Sequence, residues 1–105
     1  MPLSQALTRL AAGTPHAPSE YVVLTECHRI ASRFGPEAWR AGTTVDDVAQ
    51  DVAISLIQTV RGGTNPPKPY GYVRAMCLNR IIDLARKTKR RRRGVRRLRR
   101  EIRAV

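Results

Sequence analysis

The chain has 105 residues, 42% of them hydrophobic and 5% aromatic, which is enough for one small domain and excludes a large core. Its formal charge of +12 is uneven, because residues 86–103 hold 12 Lys and Arg against one Glu. The body is therefore nearly neutral, and the basic block suits a polyanion. The sequence contains no run of 18 apolar residues, no signal peptide and no internal repeat, so a cytoplasmic protein without membrane contact is expected.

Cysteine and histidine spacing gives no sign of a metal centre or an active site. Cys27 and Cys77 are too few and too scattered for a disulfide framework, and both are predicted to be reduced core residues. His16 falls in a proline-flanked linker and His28 on a predicted helix, neither with an acid and a nucleophile beside it. We therefore expect no catalytic residue, no metal site and no cofactor, and we expect that the protein is not an enzyme.

Two helices are predicted before the middle of the chain. Apolar residues at helical spacing over residues 3–11 predict the first. Residues 14–18 are predicted to be a linker, because their two prolines oppose regular structure. Ser19 is predicted to cap a second helix over residues 20–34, which ends at Gly35. The apolar stripe of this helix contains Val23, Cys27, Ile30, Ala31 and Phe34.

The central helix is predicted over residues 44–60, with Thr44 and Asp47 resembling a capping box and two glycines following its end. At about 100° per residue, one arc of this helix is apolar and the opposite arc is polar. The apolar arc, which is predicted to face the core, contains Val45, Val48, Ala49, Val52, Leu56 and Val60. The polar arc contains Asp47, Gln50, Asp51 and Gln58.

Ile54 breaks this pattern, because it projects from the middle of the polar arc. An apolar side chain ringed by carboxylates and amides suits a partner surface that is apolar at its centre and basic at its rim. The alternative is that Ile54 is one of the isolated exposed apolar residues found on most protein surfaces.

A loop rich in Gly and Pro over residues 61–69 separates the central helix from a last helix, which starts at Tyr70 and reaches at least Lys87. Its buried face is predicted from Val73, Met76 or Cys77, Ile81, and Leu84 or Ala85. Strand signals are absent, so the expected fold is all-α, a small bundle of three or four helices with a basic C-terminal extension.

The basic block after this helix is expected to be mostly unfolded in isolation, because its charges repel one another. Val95, Leu98 and Ile102 lie at i, i+3 and i+7, so a helix is expected once the charge is neutralised. The predicted organisation is a short helix and linker over residues 1–18, a helical domain over residues 19–88, and an Arg-rich tail over residues 89–105.

Two segments together resemble region 2 of bacterial RNA polymerase sigma factors, most closely the extracytoplasmic-function group. The first is the run Asp46-Asp47-Val-Ala-Gln50-Asp51, which resembles the start of the family's docking helix for core polymerase. The second extends from Tyr70 to Lys87 and resembles the family's aromatic melting segment, followed by an Asn-x-x-x-Asp-x-x-Arg-(Arg/Lys) run. The resemblance covers about residues 19–90, and Tyr72 stands where the family usually has Trp.

The resemblance implies two sets of site residues. The first would bind the clamp helices of the largest catalytic subunit of the polymerase: Asp46, Asp47, Gln50, Asp51, Ile54 and Ile57. The second would contact −10 promoter DNA: Tyr70, Tyr72, Arg74, Asn79, Arg80, Asp83, Arg86, Lys87, Lys89 and Arg90. In this second set the tyrosines would stack on bases of the opened non-template strand, Asn79 would lie near a flipped base, and the Arg and Lys residues would contact phosphates.

Simpler interpretations of the second set stay open at this point. The tyrosines can be caps over the core, and Asn79 can be a solvated helix residue. For Asp83, an ion pair along the helix with Arg80, Arg86 or Lys87 is favoured over a base contact.

The chain also departs from the family. Sigma factors of this group carry a second, helix-turn-helix domain for the −35 element, and residues 86–103 stand where the linker to it would begin. Three functions are therefore in competition: a sigma-like initiation factor, a polymerase-binding regulator or split-sigma subunit without autonomous promoter recognition, and a helical protein that binds DNA without sequence choice. An anti-sigma factor or a second sigma-like subunit is a further candidate partner.

Overall fold

A computed structural model describes residues 1–13 and 15–104, with side chains described up to residue 103. Within this part of the chain there are five α-helices and no strand, which confirms the predicted all-α class. The helices are α1 Leu3–Ala11, α2 Ala17–Ala31, α3 Gly35–Arg40, α4 Val45–Arg61 and α5 Pro69–Ala104, with a 3-10 turn Ser32–Phe34 between α2 and α3. None of them combines the length and the apolar character that a membrane crossing requires.

The core forms where α1, α2, α4 and α5 bring their apolar faces together, with α2 and α4 as the main pair. α4 buries most of its predicted apolar arc, from Val48 to Val60, and Val45 packs partly buried at its start. α1 buries Leu3, Leu7 and Leu10 completely. Because each buried Leu contributes about 1.5–3 kcal/mol relative to an exposed one, α1 is an integral part of the bundle.

The start of α2 differs from the prediction. α2 begins at Ala17, and His16 caps it by accepting a hydrogen bond from the backbone N–H of Ser19 through Nδ1 at 3.2 Å. The predicted cap at Ser19 is therefore wrong, since Ser19 is fully buried inside the first turn. Pro18 is tolerated there because the first turn of a helix has no partner for its N–H groups. The predicted linker shrinks accordingly, and residue 14 lies outside the described residues.

The end of α2 also differs, because the α-helix stops at Ala31 and continues as the 3-10 turn to Phe34. Gly35 opens α3 instead of only ending α2. Gly42 then closes α3 with a φ of +81°, a left-handed conformation that favours glycine, and Thr43 N–H donates to Ala38 C=O at 3.0 Å.

α4 agrees with the prediction to within a residue at each end. The Thr44 hydroxyl accepts a hydrogen bond from Asp47 N–H at 3.2 Å, so the predicted N-cap is confirmed. Asp46 and Asp47 lie in the first turn, where acidic side chains interact favourably with the helix dipole. α4 includes Arg61 and α5 starts at Pro69, so the connecting loop is shorter than predicted.

α5 is one continuous helix of 36 residues, about 54 Å long at 1.5 Å per residue, and it accounts for the longest dimension of the molecule, 62 Å. Its first half buries Val73, Cys77 and Ile81 against the body. From residue 89 to residue 103 every side chain is exposed. The basic block, expected to be mostly unfolded in isolation, is thus helical as part of the full chain: arginine is a good helix former, and the helix continues from a nucleus that the body already holds.

Candidate functional site

The outer face of α4 is the first candidate surface. Gln50, Asp47 and Gln58 are exposed, as their place on the polar arc predicts, and Ile54 stands among them with 55% of its surface exposed. Ile57 is half-buried beside it. The face thus has an apolar centre and a polar, partly acidic rim, which is the arrangement of a small protein-binding patch.

A groove between α2 and α4, which we call the α2/α4 groove, runs along one side of this face. Two hollows of about 360 and 310 Å³ form it and share Leu24 and Gln50. Asp46 lies at one end and Ile57 at the other. Leu24, 40% exposed, was not predicted as a site residue, because it lies beside the apolar stripe of α2 and only the packed structure reveals it as a groove wall.

A second groove, of about 390 Å³, separates α4 from α5 and joins the two predicted sets of residues. Ile54 lies on the α4 side and Asn79 on the α5 side. Arg80 crosses from α5 to Asp51, with its Nε and a terminal nitrogen 3.0 and 2.9 Å from one carboxylate oxygen. The favoured pairing of Asp83 along its own helix is wrong, because Arg80 pairs with α4 and the ion pairs among the described side chains do not include Asp83.

The exposed side of α5 collects half of the predicted DNA-binding set. At about 100° per residue, five of these residues fall within an arc of roughly 60°, opposite the buried stripe. They are Tyr72, Asn79, Asp83, Arg86 and Arg90, and all five are exposed. We call this arc the α5 polar face. Lys87 and Lys89, also exposed, flank it on either side.

Tyr70 and Arg74 do not lie on the α5 polar face. Residues two apart on a helix diverge by about 200°, so Tyr70 and Tyr72 point to opposite sides and do not form one stacking platform. Tyr70 and Arg74 instead line a cleft of about 290 Å³ with Arg29 and Arg33 of α2. The Arg29 guanidinium lies 5.8 Å from the centre of the Tyr70 ring, within the range of a cation–π contact.

The basic side chains in this cleft were missed by the sequence analysis. Arg29 and Arg33 are four residues apart, so they project from the same side of α2 and its 3-10 extension, which is a weak signal without knowledge of what they face. Two hydrogen bonds from Arg29 to Glu26, at 2.8 and 3.0 Å, raise the pKa of its guanidinium and fix its position over Tyr70.

His28 has neighbours that the sequence did not reveal. Its Nε2 lies 2.7 Å from Asp46 Oδ1 and its Nδ1 lies 3.4 Å from the Ser32 hydroxyl. Contrary to the expectation, His28 therefore has both a carboxylate and a hydroxyl within hydrogen-bonding distance. The Ser32 hydroxyl donates to the backbone carbonyl of His28 at 2.7 Å, an ordinary bond within the helix end, so its proton is not directed at the imidazole.

Both cysteines are confirmed as buried, unpaired thiols. Burial raises the pKa of Cys27 to about 12, with a smaller effect from Cys77, and burial likewise raises the pKa of Cys77. A thiol with a raised pKa is a poor nucleophile and a poor metal ligand, which fits a packing role. Among the described residues, no three His, Cys, Asp or Glu side chains converge into a metal site.

Comparison of the chain with protein-family models, with curated proteins and with solved structures finds no match.

Proposed function

We propose that this protein is a sigma-like, cytoplasmic transcription factor domain, which binds core RNA polymerase through the outer face of α4 and −10 promoter DNA through the α5 polar face. It carries out no covalent chemistry. Its work is to hold unstacked bases of the melted −10 region while α4 keeps it attached to the polymerase.

The observation that supports this proposal most is the setting of Ile54. It is 55% exposed in the middle of a face whose rim consists of Asp47, Gln50, Asp51 and Gln58. An apolar anchor with a polar rim is typical of the centre of a protein interface, where truncating the anchor costs about 2 kcal/mol or more of binding energy. The acidic rim favours a basic partner surface.

The two candidate surfaces belong to one rigid unit, which supports simultaneous binding of two partners. α4 and α5 share the buried core, and the Asp51–Arg80 ion pair bridges their outer edges at 2.9 Å. An exposed ion pair contributes at most about 1 kcal/mol, so the core fixes the angle between the helices. Polymerase bound to α4 would therefore hold the α5 polar face in a defined place.

Tyr72 and Asn79 give the α5 polar face its capacity to contact bases. They lie seven residues apart on one arc, so about 10 Å of helix separates them. A base stacked on an exposed tyrosine contributes about 1–3 kcal/mol. Asn79 both donates and accepts, which suits the exposed edge of a flipped base, and Arg86 and Arg90 on the same arc suit phosphates.

Retention on immobilised core polymerase tests the proposal. The double variant Asp47→Arg with Gln50→Ala should lose at least tenfold in affinity, because it reverses one charge of the rim and removes an amide next to Ile54. Glu37→Arg with Gln5→Ala makes the same two changes on exposed positions of α3 and α1, and Glu37, like Asp47, lies in the first turn of its helix. Equal retention of both double variants would contradict the proposal that the outer face of α4 binds the polymerase.

Binding of DNA without sequence choice is a second candidate, favoured by one feature of α5. The α5 polar face continues past Arg90 through Arg93, Arg97 and Arg100, so its phosphate-binding side chains outnumber its base-contacting ones. Run-off transcription with this chain as the only sigma, together with competition between −10-containing and unrelated duplexes, separates the candidates. Equal affinity for both duplexes and no transcript would favour the second candidate, or a regulator if polymerase is still retained.

A further inference from the structure

The apolar stripe of α5 continues beyond the point where the body ends. The last body contact on this stripe is Thr88, whose hydroxyl donates to Ala41 C=O at 3.0 Å. At about 100° per residue, Val95 and Ile102 lie in the same direction as the buried Cys77, and Leu98 lies within about 60° of it. In the exposed part of α5 these three side chains are 50%, 72% and 59% exposed.

Arginines border this uncovered stripe on both sides. Arg91, Arg92, Arg96 and Arg99 form a shallow hollow of about 270 Å³ around Val95. We call the surface formed by Val95, Leu98, Ile102 and these four arginines the α5 basic stripe. Phosphate binding needs only the arginines, so the apolar centre is the feature that requires a separate explanation.

The α2/α4 groove has the complementary character. Ala49 and Ala53 lie on its floor, where small side chains allow another helix to approach closely. Leu24 and Ile54 form apolar walls, and the carboxylates of Asp46 and Glu20 lie at its margins. Within the molecule, Asp46 lies 2.7 Å from His28 and Glu20 accepts a hydrogen bond from Arg61 at 2.9 Å. From Asp46 to Ile57 the groove follows about 16 Å of α4, whereas Val95 to Ile102 spans about 10 Å, so the stripe fits within it.

We propose that the α5 basic stripe of one molecule docks into the α2/α4 groove of a second copy of this chain. The stripe cannot reach the groove of its own molecule, because α5 is an unbroken helix that points away from the body. The contact is a helix lying in a groove, with apolar anchors at i, i+3 and i+7. At the margins, arginines of the stripe would share or take over the carboxylates of Asp46 and Glu20 from His28 and Arg61. Such a contact weakens as salt rises.

Self-association of this kind would cover the face of α4 on which the proposed function relies. If that function is correct, docking of a second copy and docking of polymerase exclude each other. DNA that engages the arginines of α5 would withdraw the stripe and free the groove. This regulatory consequence depends on the proposed function, whereas the self-association itself does not.

Sedimentation equilibrium of the full chain, freed of nucleic acid, tests the proposal without polymerase or DNA. At about 50 mM salt the average mass should rise with protein concentration above the monomer mass of 11.8 kDa, and at about 500 mM salt it should return to it. Leu98→Asp and Ile54→Arg should each stay monomeric at low salt. Ile82→Asp places the same charge at an apolar residue of α5 that is 45% exposed and off the stripe, and it should associate like the wild type.

Mixing the two monomeric variants decides which surfaces meet. The groove of Leu98→Asp and the stripe of Ile54→Arg are both intact, so an equal mixture should form a complex of twice the monomer mass. Stripe-to-stripe association would let Ile54→Arg associate on its own, and groove-to-groove association would let Leu98→Asp do so. Either result, or a mixture that stays monomeric, would overturn the proposal. A wild type that stays monomeric while Leu98→Asp weakens its binding to duplex DNA would also overturn it, and would assign the stripe to nucleic acid.

Discussion

The two halves of α5 show how the same periodic pattern has opposite fates in one helix. From Val73 to Thr88 the apolar stripe lies under α2 and α4 and helps to close the core. From Val95 to Ile102 the stripe keeps the same direction but lies in solvent. Periodicity therefore specifies which side of a helix is apolar, and the neighbouring elements decide whether that side is buried.

Charge explains part of the difference between the halves. The body carries a net +1, whereas residues 86–103 carry +11. Packing the whole extension against its own body would bring this charge onto a surface whose net charge of +1 does not offset it. The extension is therefore free for a polyanion on one side and for an acidic groove on the other.

Truncating one leucine in each half should sharpen the contrast most. Leu56→Ala should lower the free energy of unfolding by about 2–5 kcal/mol, because Leu56 is fully buried and its loss leaves a cavity. Leu98→Ala should change it by less than about 0.5 kcal/mol, since Leu98 packs against no element of the body. Urea unfolding followed by circular dichroism at high salt, where the chain is expected to be monomeric, measures both. Equal losses would mean that the extension folds back on the body.

Replacing arginines with glutamine should change the salt dependence of DNA binding when the arginines lie in the exposed half of α5, and not when the basic residues lie in the body. If about eight charges of the extension contact phosphates, the logarithm of the affinity should fall with the logarithm of salt concentration at a slope near −7. Arg93→Gln, Arg97→Gln and Arg100→Gln together should reduce this slope by about 2.7. The matched triple variant Arg9→Gln, Arg40→Gln and Lys68→Gln, on exposed positions of the body, should leave it nearly unchanged. A larger effect from the body variant would move the DNA contact away from α5.

The rate of thiol alkylation should also differ between the buried body and the exposed half of α5. Because the pKa of Cys27 is raised to about 12 and that of Cys77 is also raised, native alkylation at pH 8 should be more than about a hundredfold slower than in unfolded protein. A thiol introduced by Leu98→Cys should react rapidly, since the position is 59% exposed among arginines that favour the thiolate. Rapid loss of all three thiols would show that the body is open.

The same thiols make stability depend on pH at the alkaline end. Above the ordinary thiol pKa of 9.0 the unfolded chain releases protons that the folded chain keeps, so the unfolding free energy should fall as pH rises from 9 towards 12. One fully shifted thiol contributes a slope of at most about 1.4 kcal/mol per pH unit. Cys27→Ala should flatten this part of the profile, and an unchanged profile would contradict the assignment to Cys27.

Local chemistry made α4 the best predicted element. The cap at Thr44, the apolar arc and the two glycines that follow are all short-range features, and the structure has them as predicted. The start of α2 was predicted wrongly because His16, an uncommon cap, accepts the Ser19 N–H, whereas Ser19 itself lies inside the first turn and is fully buried. Tyr70 and Tyr72, both predicted to stack on bases, lie on opposite sides of α5, because a helix separates neighbours two residues apart by about 200°.

From the sequence alone follow the helices, their apolar sides, the concentration of charge in the last fifth of the chain and the exposure of Ile54, because each depends on residues within a few turns of one another. Only the tertiary structure decided that Arg80 pairs with Asp51, that Leu24 and Ile54 border one groove, that Arg29 covers Tyr70, and that α5 leaves the body at Thr88 with its stripe uncovered. These are relations between helices distant in sequence, and the angles at which packed helices cross determine them.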